Sequence, residues 1–432
     1  MDNRGKGQIV REDLQFNIAG GLGFDLPEMA KVRQVFERHG LDDVAKAVTD
    51  ELERPEIKVK VKPGAKIAVG VGSRGVANID VAVRALISGL KEQGADPFIF
   101  PAMGSHAGGT ADAQAGLLAG YGVTEDSMGA PIRATMDTVV VTELDDGTEI
   151  HMDRFAHEAD GVVLINRVKP HTSFRGSVES GVIKMMIIGM GKIDGATSIH
   201  GNYAMADFGE ILPKAASALM KHIPFLFGVG MVEDAYDDTA IVEAMPAETL
   251  FEREPELQAR AKELMARILI DDIDVLVIDE IGKEISGAGC DPNVTGHRNS
   301  PGFELPRVKK MVILDVTDAT KGNATGIGSA DVITHRLLGR VDFAATYANT
   351  VTSTYLEGAR IPIPMKTGQD AVRLAVKTLI GIKPENARIV RIRNTLKLGE
   401  IQVSAPLLEE VRQEKQMEIL SEPSKIIFSD AA

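Results

Sequence analysis

The chain has 432 residues, 44% of them hydrophobic and 25% charged, which is the composition of an ordinary globular protein rather than a disordered or fibrous one. Its length predicts two domains, because single domains usually contain about 100–200 residues. The net charge of −14 argues against non-specific nucleic-acid binding, which depends on clustered Lys and Arg. The single cysteine, Cys290, excludes a disulfide within this chain and any site built from several cysteines.

The N-terminal segment is polar and lacks the apolar core of a secretion signal. No stretch of the sequence approaches the ~20 apolar residues that are needed to span a bilayer. We therefore expect a cytoplasmic protein that has no membrane anchor.

Short apolar segments alternate with segments of helical periodicity in the first half of the chain. An apolar run predicts a strand at residues 66–72, and apolar residues with helical spacing predict a helix over 79–93. A second strand and helix follow at 97–103 and 110–121, and a third strand at 161–166. This order predicts a parallel sheet covered by helices, that is, an α/β fold.

The middle of the chain departs from this alternation. The turn signal Asp145-Asp146-Gly147 predicts a hairpin between strands at 138–143 and 149–152. A long helical pattern follows at 203–223.

A second α/β region is predicted towards the C-terminus. Its elements are strands at 274–279, 310–315 and 388–393 and helices at 254–269 and 368–379. Because no repeat or low-complexity linker marks a boundary, we place the division by pattern alone, at domains 1–245 and 246–432.

Polar loops follow three of the strands predicted for the first domain. They contain Ser73-Arg74, Ser105-His106 and Lys169-Pro170-His171. In open parallel sheets, ligands bind outside the carboxyl ends of the strands. We therefore expect the three loops to form one cleft.

The first of these loops begins with a glycine pattern. Gly70, Gly72 and Gly75 match the dinucleotide fingerprint G-x-G-x-x-G between a strand and a helix, so an NAD-dependent oxidoreductase is one hypothesis. The fingerprint also requires an acidic residue at the end of the second strand. Residues 100–104 (FPAMG) offer no carboxylate there.

Three side chains in the loops suit substrate chemistry. Arg74 could hold a carboxylate or phosphate with its planar fork of donors, although surface arginines are common. His106 lies in a glycine-rich loop and His171 follows a proline that stiffens its loop. Histidines in such positions can titrate near neutral pH and exchange protons with a substrate.

Lys184 is flanked by apolar residues in the segment 181–188 (GVIKMMII). Its ammonium group either reaches water at the end of its stem or is desolvated, which lowers the pKa of the amine and makes it a nucleophile for a covalent link. His200 lies 16 positions later, and the glycines between them would let the backbone wrap closely round a bound group. A neutral imidazole is a ligand for nickel, zinc or copper.

The chain resembles the nickel-pincer-nucleotide-dependent lactate racemase family, most clearly over residues 66–200. The resemblance rests on the order of five residues along the chain: Arg74, His106, His171, Lys184 and His200. The resemblance implies two α/β domains with the active site in the cleft between them. It also implies that Lys184 forms a thioamide with the nickel-pincer nucleotide and that His200 completes the nickel coordination. His106 and His171 would serve as the two acid/base groups, and Arg74 would bind the substrate carboxylate.

The resemblance also implies that the second domain closes over the substrate, which the first, cofactor-binding and catalytic domain would hold. Lys283 and Arg298 are the candidates there for substrate binding, by position rather than by motif, and Lys283 is also compatible with a solvated loop. The segment 173–181 (SFRGSVESG) departs from the glycine-rich version of lactate racemases. Arg175 and Ser177 within it could bind the cofactor.

The function expected from the resemblance is inversion of C2 of a 2-hydroxy acid by reversible hydride transfer to the nickel-pincer nucleotide. Because the segment 173–181 differs, a sugar acid is at least as good a substrate as lactate. Expected partners are the small hydroxy acid and the proteins that synthesise the cofactor, not nucleic acid or a membrane. The alternatives are the NAD-dependent oxidoreductase and a non-catalytic protein that binds a nucleotide cofactor.

Overall fold

A computed structural model describes residues 17–72, 75–296 and 302–428. The chain forms two compact units. The central unit extends from Glu37 to Met265, and the terminal unit combines the residues up to Phe36 with those from Ala266 onward. These bounds differ from the predicted domains 1–245 and 246–432, because the N-terminal segment groups with the C-terminal half and residues 246–265 group with the central unit.

Strands of the described residues fall into an eight-stranded sheet, a five-stranded sheet and a two-stranded hairpin. They are β1 (Met29–Gln34), β2 (Lys66–Val71), β3 (Asp96–Pro101), β4 (Thr138–Glu143), β5 (Glu149–Asp153), β6 (Gly161–Arg167), β7 (Phe225–Glu233), β8 (Thr239–Pro246), β9 (Asp272–Ile278), β10 (Arg307–Ile313), β11 (Val332–Thr334), β12 (Ile363–Met365), β13 (Ile389–Ile392), β14 (Glu400–Ser404) and β15 (Met417–Ile419).

Helices connect most of these strands. They are α1 (Val44–Glu53), α2 (Pro55–Lys58), α3 (Ile79–Glu92), α4 (Ala111–Gly120), α5 (Glu125–Met128), α6 (Arg154–His157), α7 (Val182–Lys184), α8 (Lys192–Asn202), α9 (Phe208–Met220), α10 (Leu250–Leu264), α11 (Pro292–Thr295), α12 (His335–Gly339), α13 (Phe343–Thr352), α14 (Gly368–Lys377) and α15 (Leu408–Gln413). Within the described ranges, none of them is long and apolar enough to cross a membrane.

The central sheet has the strand order β3-β2-β6-β7-β8, with β8 antiparallel and the other four strands parallel. Apolar residues fill both of its faces, because helices cover both. Along β2, Ile67, Val69 and Val71 pack in one cluster with α3, while Ala68 belongs to the opposite cluster, which contains α9. The strands predicted from residues 66–72, 97–103 and 161–166 are thus three neighbours in one parallel sheet.

The terminal sheet has the order β12-β11-β10-β9-β13-β14-β1-β15. Its first five strands are parallel, while β14, β1 and β15 pair antiparallel. The N-terminal strand β1 lies between two strands from the other end of the chain, which explains why residues 17–36 belong to this unit. Part of the C-terminal segment thus joins the sheet through β15.

Two predicted helices have different bounds in the structure. The pattern over 203–223 is extended at Tyr203 and Ala204, which separate α8 from α9. It then forms a 3-10 turn at Met205–Asp207 and becomes an α-helix at Phe208. The helix predicted at 254–269 extends from Leu250 to Leu264. The predicted hairpin around Asp146 is confirmed as β4 and β5.

Candidate active site

The loops after β3, β2 and β6 lie at one edge of the central sheet, because these strands are adjacent and parallel. His106 follows β3 and His171 follows β6, so the structure brings both predicted histidines to this edge. The loop after β2 carries Arg74, which lies outside the described residues. Its predicted role stays a prediction.

His106 is exposed, in a loop fixed by its own backbone. Gly104, Ala107 and Gly108 all have positive φ, which produces a tight turn. The backbone N–H of Gly104 donates to the carbonyl of Gly189 (2.9 Å), and the Gln114 side chain donates to the carbonyl of Gly104 (2.9 Å). The His106 loop is therefore attached to the helical segment that follows Lys184.

His171 is half-buried and held from several sides. Its backbone N–H donates to Glu179 Oε2 (2.7 Å), and its Nδ1 accepts from the backbone N–H of Ser173 (3.1 Å). Because Nδ1 accepts this bond, the proton of the neutral ring is assigned to Nε2. Phe174 contacts the ring, with 4.3 Å between ring centroids.

Arg175 and Glu179 close the segment after His171 into a loop. Arg175 Nη1 donates to the carbonyl of His171 (3.0 Å) and to Glu179 Oε2 (3.2 Å), and the fully buried Glu179 also pairs with Lys262 (2.6 Å). The side chain predicted to bind the cofactor thus supports the His171 loop. Ser177 is exposed on the same loop, and cofactor binding by either residue stays a prediction.

Lys184 is the last residue of α7 and is followed by a π-helical turn, Met185–Gly189. Such turns are frequent at functional sites. The lysine is half-buried between buried neighbours, and its Nζ donates to Ser180 Oγ (3.4 Å). The lysine is therefore partly shielded from water, and a covalent link through its amine stays a prediction.

Glu254, a residue that sequence reasoning did not select, supports the start of α7. This fully buried carboxyl accepts from the backbone N–H groups of Ile183 (3.0 Å) and Val182. Burial raises its pKa to about 8, although these hydrogen bonds act in the opposite direction and lower the pKa. Gly181 makes room for it, since a Cβ there would lie 2.2 Å from Glu254 Oε1.

His200 lies in the last turn of α8 and is half-buried. Burial lowers its pKa, and the positive charge of Lys184 lowers the pKa further. His200 is therefore a neutral imidazole near Lys184 at neutral pH, the form that ligates metals. The two residues that the sequence pairs by spacing also interact in space.

A row of aromatic rings connects His171 with His200. Ring centroids are 4.8 Å apart between His200 and Phe208, 5.7 Å between Phe208 and Phe174, and 4.3 Å between Phe174 and His171. Phe208 is the first residue of α9 and is buried. The row gives His171 and His200 a shared apolar support.

The glycines between Lys184 and His200 lie close to other parts of the chain. A Cβ on Gly189 would lie 2.6 Å from the carbonyl oxygen of Ala102, and one on Gly191 would lie 2.4 Å from that of Ile187. They allow close packing within the protein, against the end of β3 and the π-helical turn. Wrapping of this backbone round a bound group stays a prediction.

A buried ion pair lies beneath the His106 loop. Lys192 and Asp153 are both fully buried, with 3.0 Å between Nζ and Oδ2. Lys192 Nζ also donates to the carbonyl of Pro101, the last residue of β3. Burial lowers the pKa of Lys192, while Asp153 opposes that shift. The pair fixes the strand end from which the His106 loop departs.

A second ion pair that was not predicted from the sequence lies at the ends of β6 and β7. Arg167 pairs with the buried Glu233 (2.6 Å), and Glu233 accepts from the backbone N–H of Ala77 (2.7 Å). Burial raises the pKa of Glu233, and Arg167 opposes that shift. This contact holds the chain on the C-terminal side of the glycine-rich loop.

The glycine-rich loop does not match the physical roles of the dinucleotide fingerprint. Gly70 and Gly72 make room for neighbouring side chains, since their Cβ atoms would lie 2.5 Å from Leu164 and from Asn166. A Cβ on Gly75 would make only ordinary contact, at 3.5 Å from Tyr121. Helix α3 begins at Ile79, beyond the motif rather than within it.

The predicted second-domain cation lies in the terminal unit. Lys283 Nζ donates to the carbonyl of Gly287 (2.5 Å), and its backbone N–H donates to Thr320 Oγ1 (3.2 Å). Arg298 lies outside the described residues. Substrate binding by either residue stays a prediction.

Across the described part of the chain, no three histidine, cysteine or carboxylate side chains form a group that could hold a metal ion. His200 could supply one nitrogen ligand.

No protein-family model and no curated protein sequence matches the chain. Its fold is similar to that of a solved structure, the lactate racemase apoprotein from Thermoanaerobacterium thermosaccharolyticum, with a TM-score of 0.52. The sequence identity is 13%, and the match covers 85% of this chain and 99% of that chain. The predicted α/β fold with mainly parallel sheets is confirmed, and it is a lactate racemase-like fold.

Proposed function

We propose that this protein is a racemase or epimerase of 2-hydroxy acids that carries a nickel-pincer nucleotide on Lys184. The observation that carries the proposal is the pairing of Lys184 with a neutral His200 in the unit whose sheet edge presents His106 and His171. The lactate racemase-like fold supports it.

The residues present fit the proposed cofactor. Lys184 lies on a helix whose start Glu254 holds in place, so its amine has a defined position for a covalent link. His200 offers one nitrogen ligand, and the sulfur and carbon atoms of the nucleotide would supply the remaining ligands of nickel. When bound, the group supplies the metal and a carbon atom that accepts and returns a hydride.

The protein residues would handle the proton and the carboxylate. One histidine accepts the hydroxyl proton of one enantiomer, and the other histidine serves the opposite enantiomer, whose hydroxyl has the opposite orientation. In the neutral tautomer set by Ser173, which donates to Nδ1, His171 carries its proton on Nε2 and would enter the reaction as the proton donor of the pair. Arg74 would fix the substrate carboxylate through both half-reactions.

The substrate in this proposal is larger than lactate. The segment after His171 is closed by the Arg175–Glu179 pair rather than by glycines, and it leaves Ser177 exposed as a hydrogen-bonding group. Lys283 and Arg298 would bind distal polar groups of a substrate such as a sugar acid. The proteins that synthesise the cofactor are the proposed partners for loading.

Intact-mass and nickel analysis test the cofactor claim. Protein produced together with the cofactor-synthesis proteins should carry a covalent adduct and about one nickel ion per chain, as one covalent attachment site requires. Lys184→Ala should abolish the adduct, whereas Lys221→Ala, an exposed lysine after α9, should keep it. An unmodified parent protein without nickel, or an adduct that survives Lys184→Ala, would refute the proposal.

A further inference from the structure

The terminal unit contains a cavity of about 350 Å³ at the carboxyl edge of its parallel strands. Two of its walls come from the residues that follow β9 and from the end of β13. The lining residues are Asp279, Glu280, Leu314, Asp315, Thr334, Arg336, Gly368, Arg391, Arg393 and Phe428. None of the described residues of the proposed racemase site is among them.

This cavity lies where the strand order reverses. From β9 the chain proceeds through β10 and β11 to β12 on one side, and then returns to place β13 on the other side of β9. In open α/β sheets, the connections on either side of such a point separate and leave a crevice, which is where ligands bind. The topology therefore favours a binding site at this position.

Ion pairs form the polar walls of the cavity. Arg391 Nε lies 2.6 Å from Asp279 Oδ1, Arg393 Nε lies 3.0 Å from Glu280 Oε1, and Arg336 Nε lies 3.0 Å from Asp315 Oδ2. The three carboxylates and three guanidinium groups balance in formal charge. Burial raises the pKa of Asp279, and the charge of Arg391 opposes that shift.

Paired charges of this kind suit hydroxyl groups better than a free ion. An added ion would have to weaken an existing pair to gain a partner of its own. A hydroxyl group both donates and accepts, so it can bridge the remaining N–H of a guanidinium and the second oxygen of its carboxylate without separating them. Among the hydrogen bonds of the described residues, the Arg391 pair leaves Asp279 Oδ2 available for this.

The remaining walls are apolar. Leu314 and Phe428 line the cavity, and the Phe428 ring lies 5.3 Å from the Arg391 guanidinium carbon. Aliphatic C–H groups of a ligand can pack on such surfaces while its hydroxyls meet the ion pairs. We propose that this cavity binds a small polyhydroxylated molecule of sugar or polyol size, through the Asp279–Arg391 and Glu280–Arg393 pairs.

Binding of sorbitol and myo-inositol to the full-length, cofactor-free protein tests this inference. Neither probe has the carboxylate that the proposed racemase site needs, so success or failure here is separate from that proposal. Calorimetry or saturation-transfer NMR should show saturable binding of at least one of them. Absence of saturable binding of both would overturn the inference.

Variants then locate the site. Asp279→Asn and Arg391→Gln should weaken binding by roughly tenfold to a hundredfold, the loss expected for hydrogen bonds to charged groups. Arg307→Gln is the matched control, because Arg307 makes a 2.6 Å ion pair with Asp272 at the opposite, amino edge of the same sheet. Unchanged affinity in both cavity variants would contradict the assignment.

A second measurement covers the case in which a cavity variant does not fold. In the parent protein, the bound probe should slow amide hydrogen exchange at residues 279–282 and 389–393 and leave residues 161–167 of the central unit unchanged. Slower exchange confined to other segments would place the site elsewhere and would overturn the inference.

Discussion

At the residue scale, burial changes the pKa values of two side chains of the candidate site, His200 and Glu254. His200 is neutral because burial and Lys184 both lower its pKa, and Glu254 is protonated near neutral pH because burial raises its pKa to about 8. Neither shift can be calculated from the sequence, because each depends on packing between distant segments. The sequence does select Lys184 and His200 as candidates, through residue type, spacing and the family resemblance.

Removing either histidine should slow turnover in a way that depends on the enantiomer. His106→Gln and His171→Gln should each lower kcat by ~10²–10⁴, the usual contribution of a positioned acid or base. Since each histidine serves one enantiomer as base and the other as acid, pH profiles in the two directions should change differently for the two variants. Identical profiles for both variants in both directions would contradict the two-histidine assignment.

Glu254 should make stability depend on pH in a definite direction. Its pKa is about 8 in the folded protein and near 4.5 in an unfolded chain, so only the unfolded state loses this proton as the pH rises between those values. The unfolded state is thereby favoured, and the free energy of unfolding should fall by a few kcal/mol across this interval. Urea unfolding at about pH 5 and about pH 8 measures the fall.

Glu254→Gln is the matched variant for that measurement. The amide keeps a carbonyl acceptor for the N–H of Ile183 but cannot ionise, so the fall in stability should be smaller in the variant than in the parent. An equal fall in both proteins would show that Glu254 does not titrate as described.

At the scale of single elements, local sequence patterns predicted the bounds of a strand or helix well where that element buries an apolar face. Strand β2 and helix α3 agree with the predicted 66–72 and 79–93 to within one residue at each end. The boundary near Tyr203 was missed because the extended backbone of Tyr203 and Ala204, between α8 and α9, leaves no mark in the apolar spacing. The packing of Gly189 and Gly191 against other parts of the chain was not predicted, because a glycine looks alike in sequence whether its neighbour is a ligand or another part of the chain.

Two glycines near the candidate site should respond oppositely to alanine. Gly191→Ala should cost about 1–3 kcal/mol, because its Cβ would lie 2.4 Å from the carbonyl of Ile187. Gly201→Ala should be neutral or stabilising by up to ~1 kcal/mol, because no atom lies within 4 Å of the added Cβ in α8. Chemical denaturation of both variants measures the difference, and equal effects would contradict the packing role of Gly191.

At the scale of the whole molecule, the sequence predicted two α/β regions with mainly parallel sheets. It did not predict that β1 pairs with β14 and β15, because pairing between strands so far apart in sequence depends on tertiary structure. For the same reason the sequence did not predict which distant residues support the candidate site. Glu254 belongs to α10, well after the segment 66–200 on which the resemblance rests.

The central claim is inversion at C2 by hydride transfer, and stereochemical analysis in deuterated water tests it most directly. The cofactor-loaded protein would be incubated with single enantiomers of lactate and of sugar acids, and the products separated by chiral chromatography and weighed by mass spectrometry. The account predicts that at least one substrate is inverted and keeps its original C2 hydrogen, because a hydride that leaves and returns does not exchange with solvent. Inversion with deuterium incorporated at C2, or no inversion of any substrate by the loaded protein, would contradict it.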